Sequence, residues 1–264
     1  MPIPEAERTI YRNNPLFQVI CQIRFPSILK IESDSPASFQ ERIRKEYPIF
    51  EEVEGFDKSR NIPPEIVKAM GRGIFSGLGG SRRVFKFSTE DKKWTITLEK
   101  DSLGLDCNDY RRWEEFEERF KFSFQVCREE YEPAFFTRIG LRYRNIINRE
   151  KIGLKGENWA KLLNTKFSGA IGWEEFSSEV QGTNSEILLN LDNRKNQLRV
   201  KHGLVRVDGI SEDCYLIDSD YSTLGKTEVQ DVFDKLDTFR KGAGKFFRWC
   251  ITDKLHNALG PTEP

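Results

Sequence analysis

Two long stretches of the chain carry apolar stripes at helical spacing, and each stripe follows a group of strand-like segments. Residues that recur every three or four positions predict amphipathic helices that pack against a sheet. The first stripe comprises Trp113, Phe116, Phe120, Phe124, Cys127 and Tyr131. The second comprises Val229, Val232, Phe233, Leu236, Phe239, Ala243, Phe246 and Cys250. This layout restricts the chain to an α+β fold.

The strand-like segments are recognised by alternation. The segment from Leu16 to Phe25 alternates so that Phe17, Val19, Cys21, Ile23 and Phe25 share one face, the period of a half-buried strand. Short helices are predicted around Phe39 to Tyr47 and at Glu157–Leu163. Further strands are predicted at Arg82–Ser88, Lys92–Lys100, Leu103–Asp106, Phe135–Ile147, Glu186–Leu191, Gln197–Val207 and Cys214–Asp218.

The order of these elements repeats. Residues 1–132 are interpreted as a β-α-β-β-(β)-α half and residues 133–264 as a β-α-β-β-β-α half, sharing one antiparallel sheet with both long helices on one face. The halves correspond in element order and helix length rather than in identity, which fits both duplication and convergence. Residues 55–83 contain Pro63-Pro64 and the run GRGIFSGLGG, which predicts an exposed insertion. The final GPTEP is expected to be a frayed tail.

Composition argues against several classes of protein. Lys and Arg together number 42, as do Asp and Glu, so the chain lacks the overall positive field of a general nucleic-acid binder. The five cysteines are scattered without a C-x-x-C pair, which favours reduced thiols over disulfides or a zinc site. The N-terminus lacks signal-peptide features, and no apolar run approaches the ~20 residues of a membrane span. We therefore expect a cytoplasmic protein.

Four motifs together resemble a known family. They are NNPLFQVICQIRF near the start, WTITL at Trp94 to Leu98, YRRWEEF at Tyr110 to Phe116, and RIGLRYRN at Arg138 to Asn145. In order and spacing they resemble a sporadically distributed prokaryotic family of mostly uncharacterised proteins of about this length. Such patchy distribution implies an association with mobile or antiviral-defence loci. The resemblance implies no catalytic residues or cofactors, and the element order is similar to the saddle of TATA-binding-protein-like domains, an analogy of fold alone.

The strongest local pattern lies in RIGLRYRN. Alternation places Arg138, Arg142 and Arg144 on one face together with Gly140, which would let a ligand or another backbone approach closely. Guanidinium groups suit phosphates or carboxylates, so this stripe is a candidate ligand-binding site. The alternative is that these arginines pair with acids of the chain, for which we considered Glu174, Glu175, Glu179 and Glu186.

Charge is segregated in the second half. Arg199 and Lys201 belong to a basic segment between Asp192 and Asp208, which predicts a basic sheet surface beside the arginine stripe. The segment from Ser211 to Asp237 is acidic instead. Opposed patches of this kind suit a protein partner, or each other.

Other motifs give weaker signals. Asp218 and Asp220, at a predicted strand end, are candidate Mg²⁺ ligands. His202 is a candidate general base or a strand histidine that completes a hydrogen bond. GAGK at Gly242 to Lys245 resembles a phosphate loop but lies inside a predicted helix and lacks the Ser or Thr that should follow the lysine.

Without a catalytic constellation, we expect a non-enzymatic binding or regulatory protein of a prokaryotic antiviral-defence or stress system. The partner would be another protein, or nucleic acid held by a local basic patch, with no membrane and no cofactor. The alternatives are a Mg²⁺-dependent nucleotide or nucleic-acid enzyme using Asp218 and Asp220, and an obligate structural subunit of a complex.

Overall fold

The computed structural model describes residues 3–55, 82–173 and 179–262. Its centre is a nine-stranded antiparallel sheet with the spatial order β3-β4-β5-β6-β2-β7-β10-β9-β8. A separate two-stranded pair joins β1 to β11. The strands are β1 (Ile10–Tyr11), β2 (Leu16–Arg24), β3 (Ile49–Gly55), β4 (Arg82–Ser88), β5 (Trp94–Glu99), β6 (Ser102–Cys107), β7 (Arg138–Ile147), β8 (Asn184–Leu191), β9 (Asn196–Val205), β10 (Cys214–Thr223) and β11 (Pro261–Thr262).

Two long helices pack on this sheet. The helices are α1 (Leu29–Ser33), α2 (Ala37–Ile43), α3 (Trp113–Tyr131), α4 (Thr165–Ser168), α5 (Val232–Cys250) and α6 (Asp253–Ala258). The predicted stripes are the buried faces of α3 and α5, where Phe120 and Phe239 are almost completely buried. The helix α3 ends where Glu132 turns into the left-handed region at φ 47° and Pro133 prevents continuation. The predicted α+β class with long helices packed on an antiparallel sheet is therefore confirmed.

The core lies between the sheet and these helices. Aromatic rings supply much of it: Phe124 contacts Phe136 on one side and Phe233 of α5 on the other, with ring centroids 5.7 and 5.2 Å apart. Edge-to-face ring contacts add to the free energy gained from burying apolar area. The five cysteines are buried and free, and burial raises the pKa of the Cys250 thiol well above its ordinary value. These thiols therefore act as small apolar side chains.

The boundaries of several elements differ from the predictions. Both ends of the predicted insertion at 55–83 are strands instead, since Gly55 ends the unpredicted strand β3 and Arg82 begins β4. The rest of that prediction, residues 56–81, lies outside the described residues. The predicted helix at Glu157–Leu163 is a 3-10 turn at Trp159–Lys161, followed by α4. The prediction of a frayed tail is wrong for Pro261 and Thr262, which form β11 and pair with β1.

One predicted core residue is displaced. The register of β2 against β7 shifts between Leu16 and Gln18, so Phe17 does not continue the buried face formed by Val19 and Cys21. Leu16 packs against the core instead. A bulge of this kind places an extra residue in one strand and redirects its side chain.

Candidate binding face of the sheet

The sheet has one face against α3 and α5 and an opposite face, here called the open face, which carries Arg142, Arg144 and Arg199. In β7 the alternation is as predicted: Leu141 and Tyr143 are buried in the core. The side chains of Arg138, Arg142 and Arg144 retain 27, 39 and 32% exposure. The arginine stripe therefore lies on an accessible surface of the folded protein.

The stripe is paired with the two aspartates that were candidates for metal binding. Arg142 Nε donates to Oδ1 of Asp218 at 2.7 Å and Nη2 donates to Oδ2 at 2.5 Å, a two-point fork. Arg138 Nη2 lies 2.8 and 2.9 Å from the carboxylate oxygens of Asp220. The hydrogen bonds with Asp218 are the main reason that the pKa of Arg142 is raised. Asp218 itself is buried, with 5% of its side chain exposed.

Pairing follows from sheet register. Because β7 and β10 are antiparallel neighbours, Arg144 stands directly opposite Asp218 and Arg142 opposite Asp220. Side chains separated by one diagonal step across neighbouring strands remain within reach of a long arginine, and Arg142 takes this step to reach Asp218. The aspartates lie inside β10, which extends to Thr223, rather than at the strand end where they were predicted.

The third arginine connects the stripe to the first half of the sheet. Arg144 Nη1 donates to Oε1 of Gln18 at 2.6 Å, and Nε2 of Gln18 donates to Asp106 at 2.7 Å. The guanidinium carbon of Arg144 also lies 4.7 Å from the ring centroid of Phe17, the residue redirected by the bulge. Burial raises the pKa of Asp106, although the bond from Gln18 and the charge of Arg144 oppose this.

The glycine of the stripe makes room for an arginine of the same strand. A Cβ atom at Gly140 would lie 2.1 Å from Nη1 of Arg138, whose side chain lies across this position to reach Asp220. The sequence predicts instead that Gly140 lets a ligand or another backbone approach closely. In the folded chain this space is occupied by the Arg138 guanidinium.

Arg199 and Lys201 of β9 lie on the same face as the stripe, with β10 between them, and are more exposed than the stripe arginines. Nη1 of Arg199 lies 3.1 Å from Oε1 of Glu186 in β8, and Lys201 Nζ lies 3.6 Å from Oε2 of the same carboxylate. All three side chains are about half exposed, at 48 to 49%. The stripe arginines therefore do pair with acids of the chain, but the acids are Asp218 and Asp220. Of the acids considered from the sequence, Glu174 and Glu175 lie outside the described residues.

The residues proposed for an enzyme are not brought together. In the register of β9 against β10, Lys201 faces Asp218 whereas His202 faces Ile217, so the sheet separates the imidazole from both aspartates. His202 is buried, stacks on Phe167 at 4.0 Å, and places Nδ1 2.7 Å from the Tyr215 hydroxyl. Its pKa is lowered because burial disfavours the charged ring.

Within 3–55, 82–173 and 179–262, no group of three or more His, Cys, Asp or Glu residues has the arrangement of a metal site. No helix of the described chain is both long and apolar enough to cross a bilayer. Comparison with models of known protein families and with curated proteins finds no match. The family resemblance therefore stays a prediction.

An apolar feature of this surface was missed from the sequence. Leu188 lies opposite Arg199 on the open face and is 53% exposed, in an edge strand that pairs on one side with β9. Ile187 and Leu189 alternate to the opposite face, where they lie across from the core residues Val200 and Leu198, and they are 37 and 38% exposed. The sequence predicts a strand at Glu186–Leu191 but not its exposure, because exposure depends on the strand order, which local pattern does not reveal.

Proposed function

We propose that this protein is a non-enzymatic binding protein whose open face holds a protein partner. The observation that carries the proposal is the juxtaposition of the exposed Leu188 with Arg199 and Lys201 at the β8 edge, beside the ordered arginine stripe. An apolar anchor surrounded by oriented charges is the arrangement that protein interfaces use for affinity and orientation.

The charges of the stripe favour a protein over nucleic acid as the partner. Phosphate binding needs guanidinium groups whose charge is available to the phosphate. Arg138 and Arg142 already donate to Asp220 and Asp218, and Arg144 lies 3.6 Å from the same Asp218 carboxylate. The carboxylates would repel a phosphate backbone, whereas a protein can present charges of both signs to match them.

The same pairing weighs against the enzyme alternative. Mg²⁺ binding at Asp218 and Asp220 would first have to displace Arg142 and Arg138 from their hydrogen bonds. His202 cannot act as a general base beside these aspartates, because its side chain lies on the other face of the sheet. Binding without chemistry is therefore the better-supported function.

We also propose that the chain consists of two tandem halves. From the central pair outward, β2 is followed by β6, β5 and β4, and β7 is followed by β10, β9 and β8. We interpret residues 1–132 and 133–264 as two related halves, similar in layout to TATA-binding-protein-like domains, with β3 as an extra edge strand of the first half. A partner would then lie across a surface to which both halves contribute through the bond from Arg144 to Gln18.

The cellular setting is proposed from the family resemblance. Its sporadic distribution supports a role in a prokaryotic antiviral-defence or stress system, where the protein would regulate or assemble with its partner in the cytoplasm. Dependence on the partner would make the protein an obligate subunit. Exposed apolar residues at the β8 edge support that possibility, since an uncovered apolar edge favours unwanted strand pairing.

A charge exchange on the open face tests the proposal. The triple variant Glu186→Lys, Arg199→Glu and Lys201→Glu retains opposite charges for pairing while reversing the field that a partner meets. The lost ion pairs are half exposed and contribute little, but the new glutamates would stand opposite Asp220 and Asp218. This repulsion should cost about 1 to 2 kcal/mol, and thermal unfolding of the purified variant checks that it is still folded. We expect a protein that co-purifies stoichiometrically with the wild type from its native cell to be lost from this variant.

The matched control is the exchange Glu41→Lys, Arg44→Glu and Lys45→Glu at the end of α2. Glu41 and Arg44 form an exposed pair 3.0 Å apart, and the change in net charge is the same. The control should retain the partner. Equal retention by both triple variants would contradict the proposal, and recovery of nucleic acid in place of protein would favour the nucleic-acid alternative.

A further inference from the structure

A cavity lies on the helical side of the sheet, away from the open face. It is lined by residues 6–11 and 14–16 of the N-terminal segment, residues 110–113 at the start of α3, the β7 residues Tyr143 and Asn145, and α5. Its volume is about 260 Å³. Because Tyr143 and Asn145 point to the opposite side of β7 from Arg142 and Arg144, the cavity is separate from the proposed partner surface.

Aromatic rings form the walls of this cavity. Its lining includes Tyr11, Tyr110, Trp113, Tyr143 and Phe247. Tyr110 meets Tyr143 edge-to-face at 6.1 Å, and Tyr11 meets Phe247 edge-to-face at 5.9 Å. Ring faces and edges held in fixed orientations offer a planar ligand both stacking and edge-to-face contacts.

Cationic side chains surround the aromatic walls. Seven lining residues are Arg or Lys and one, Glu7, is acidic. Arg240 lies with its guanidinium carbon 5.9 Å from the Trp113 ring centroid, and Lys245 Nζ lies 2.6 Å from Glu5. A cavity with an aromatic interior and a cationic rim suits a ligand that combines a planar ring with a negative charge.

Three of the carboxylates that neutralise these cations are exposed enough to give way to a ligand, whereas Arg240 is held 2.6 Å from Asp237, whose side chain is 37% exposed. Glu5, which pairs with Lys245, is 84% exposed, and Asp253, which pairs with Arg248, is 85% exposed. Glu114, the partner of Arg8, is 55% exposed. Exposed pairs of this kind contribute little to stability, so exchanging their carboxylates for a ligand's phosphate costs little.

An exposed glycine of α5 forms part of the cavity lining. Gly244 lies in the GAGK motif, inside α5 as predicted, and it lines the cavity. A Cβ atom built on it has nothing within 4 Å, so packing does not require glycine here. A mid-helix glycine lowers helix propensity, and a ligand that approaches the helix backbone would account for its presence.

We propose that this cavity binds a nucleoside monophosphate or a ligand of the same chemistry, a planar heterocycle joined to a phosphate. The base lies among Tyr110, Trp113 and Tyr143, and Lys245 holds the phosphate together with Arg248, three residues further along α5. The volume of about 260 Å³ is slightly below the range of ~300–1,000 Å³ typical of small-molecule sites, which favours a monophosphate over a larger nucleotide. The N-terminal segment, anchored by the buried Ile3, forms the outer wall.

Calorimetric titration of the full chain with each of the four ribonucleoside 5′-monophosphates tests this site. We expect saturable binding of at least one of them, with a dissociation constant of roughly 1 mM or below. The matching nucleoside and inorganic phosphate should each bind at least about tenfold more weakly, because each provides only half of the contacts. Failure of all four nucleotides to bind would overturn the proposal.

Two variants separate specific binding from general attraction to a basic protein. Lys245→Gln should weaken the bound nucleotide about tenfold through loss of a charge-assisted bond, whereas Lys235→Gln, on the same helix outside the lining, should leave affinity unchanged. Gly244→Leu should weaken binding at least about tenfold by placing a bulky side chain at the exposed edge of the cavity. It should not lower the unfolding temperature, because leucine is the better helix former. Undiminished binding in both Lys245→Gln and Gly244→Leu would contradict the assigned site.

Discussion

Replacement of Arg142 by alanine is expected to lower the free energy of unfolding by about 2 to 3 kcal/mol. The reason is that Asp218, with 5% of its side chain exposed, would lose both hydrogen bonds of the fork. Among the described side chains its remaining cationic partner is Arg144, at 3.6 Å. Breaking a buried pair from one side leaves a charge without compensation, which costs more than the pair itself contributes. Urea-induced unfolding measures this difference.

Two controls distinguish a buried charge from a general effect of losing arginine. Arg199→Ala removes a pair whose members are half exposed, and we expect a change of about 0.5 kcal/mol or less. Adding Asp218→Asn to Arg142→Ala should recover about 1 kcal/mol, since it removes the unpaired charge. An Arg142→Ala variant as stable as the wild type would show that the fork is a solvated surface pair.

Gly203→Ala is expected to destabilise the protein by about 2 to 3 kcal/mol. A Cβ atom at Gly203 would lie 1.9 Å from the carbonyl oxygen of Thr183, at the start of the β8–β9 pairing. Backbone cannot move aside as the end of a flexible side chain can, so the two strands would have to separate locally. Thermal unfolding should show a lowered midpoint.

Gly104→Ala is the matched control in β6. The nearest atom to its Cβ position is the Cys21 carbonyl oxygen at 3.4 Å, an ordinary contact. We expect its stability to stay within about 0.5 kcal/mol of the wild type. Similar losses at both positions would mean that strand glycines are required for general reasons, rather than for the close approach of Thr183 to Gly203.

The sequence predicted the elements whose pattern is local and strong. The stripes of α3 and α5 and the alternation of β7 each depend on residues within one segment, where periodicity reports which side is buried. The strand β3 was missed because Glu51 and Glu52 weaken its pattern and glycine-rich sequence follows. Phe17 was assigned to the core because a bulge changes the alternation without leaving a mark in the sequence.

The candidate sites depended on information that the local pattern does not contain. Arg142 and Asp218 were each recognised, but their pairing follows from the register of β7 against β10, whose paired residues are far apart in the chain. One signal could have predicted this pairing: one strand carries several arginines on a single face, and another carries an Asp-x-Asp pair whose carboxylates also share a face. The cavity needed the N-terminal segment to be placed against α5, which the pairing of β1 with β11 helps to fix.

Site-specific photo-crosslinking in the native cell tests most directly whether the open face is the partner surface. A photoreactive amino acid at Gln197, on the open face of β9, is compared with one at Glu118, exposed on α3. We predict a discrete protein adduct from Gln197 that is absent at Glu118 and is lost in the charge-exchanged variant of Glu186, Arg199 and Lys201. Adducts from Glu118 alone, or from neither position, would contradict the assignment of the open face as the binding surface.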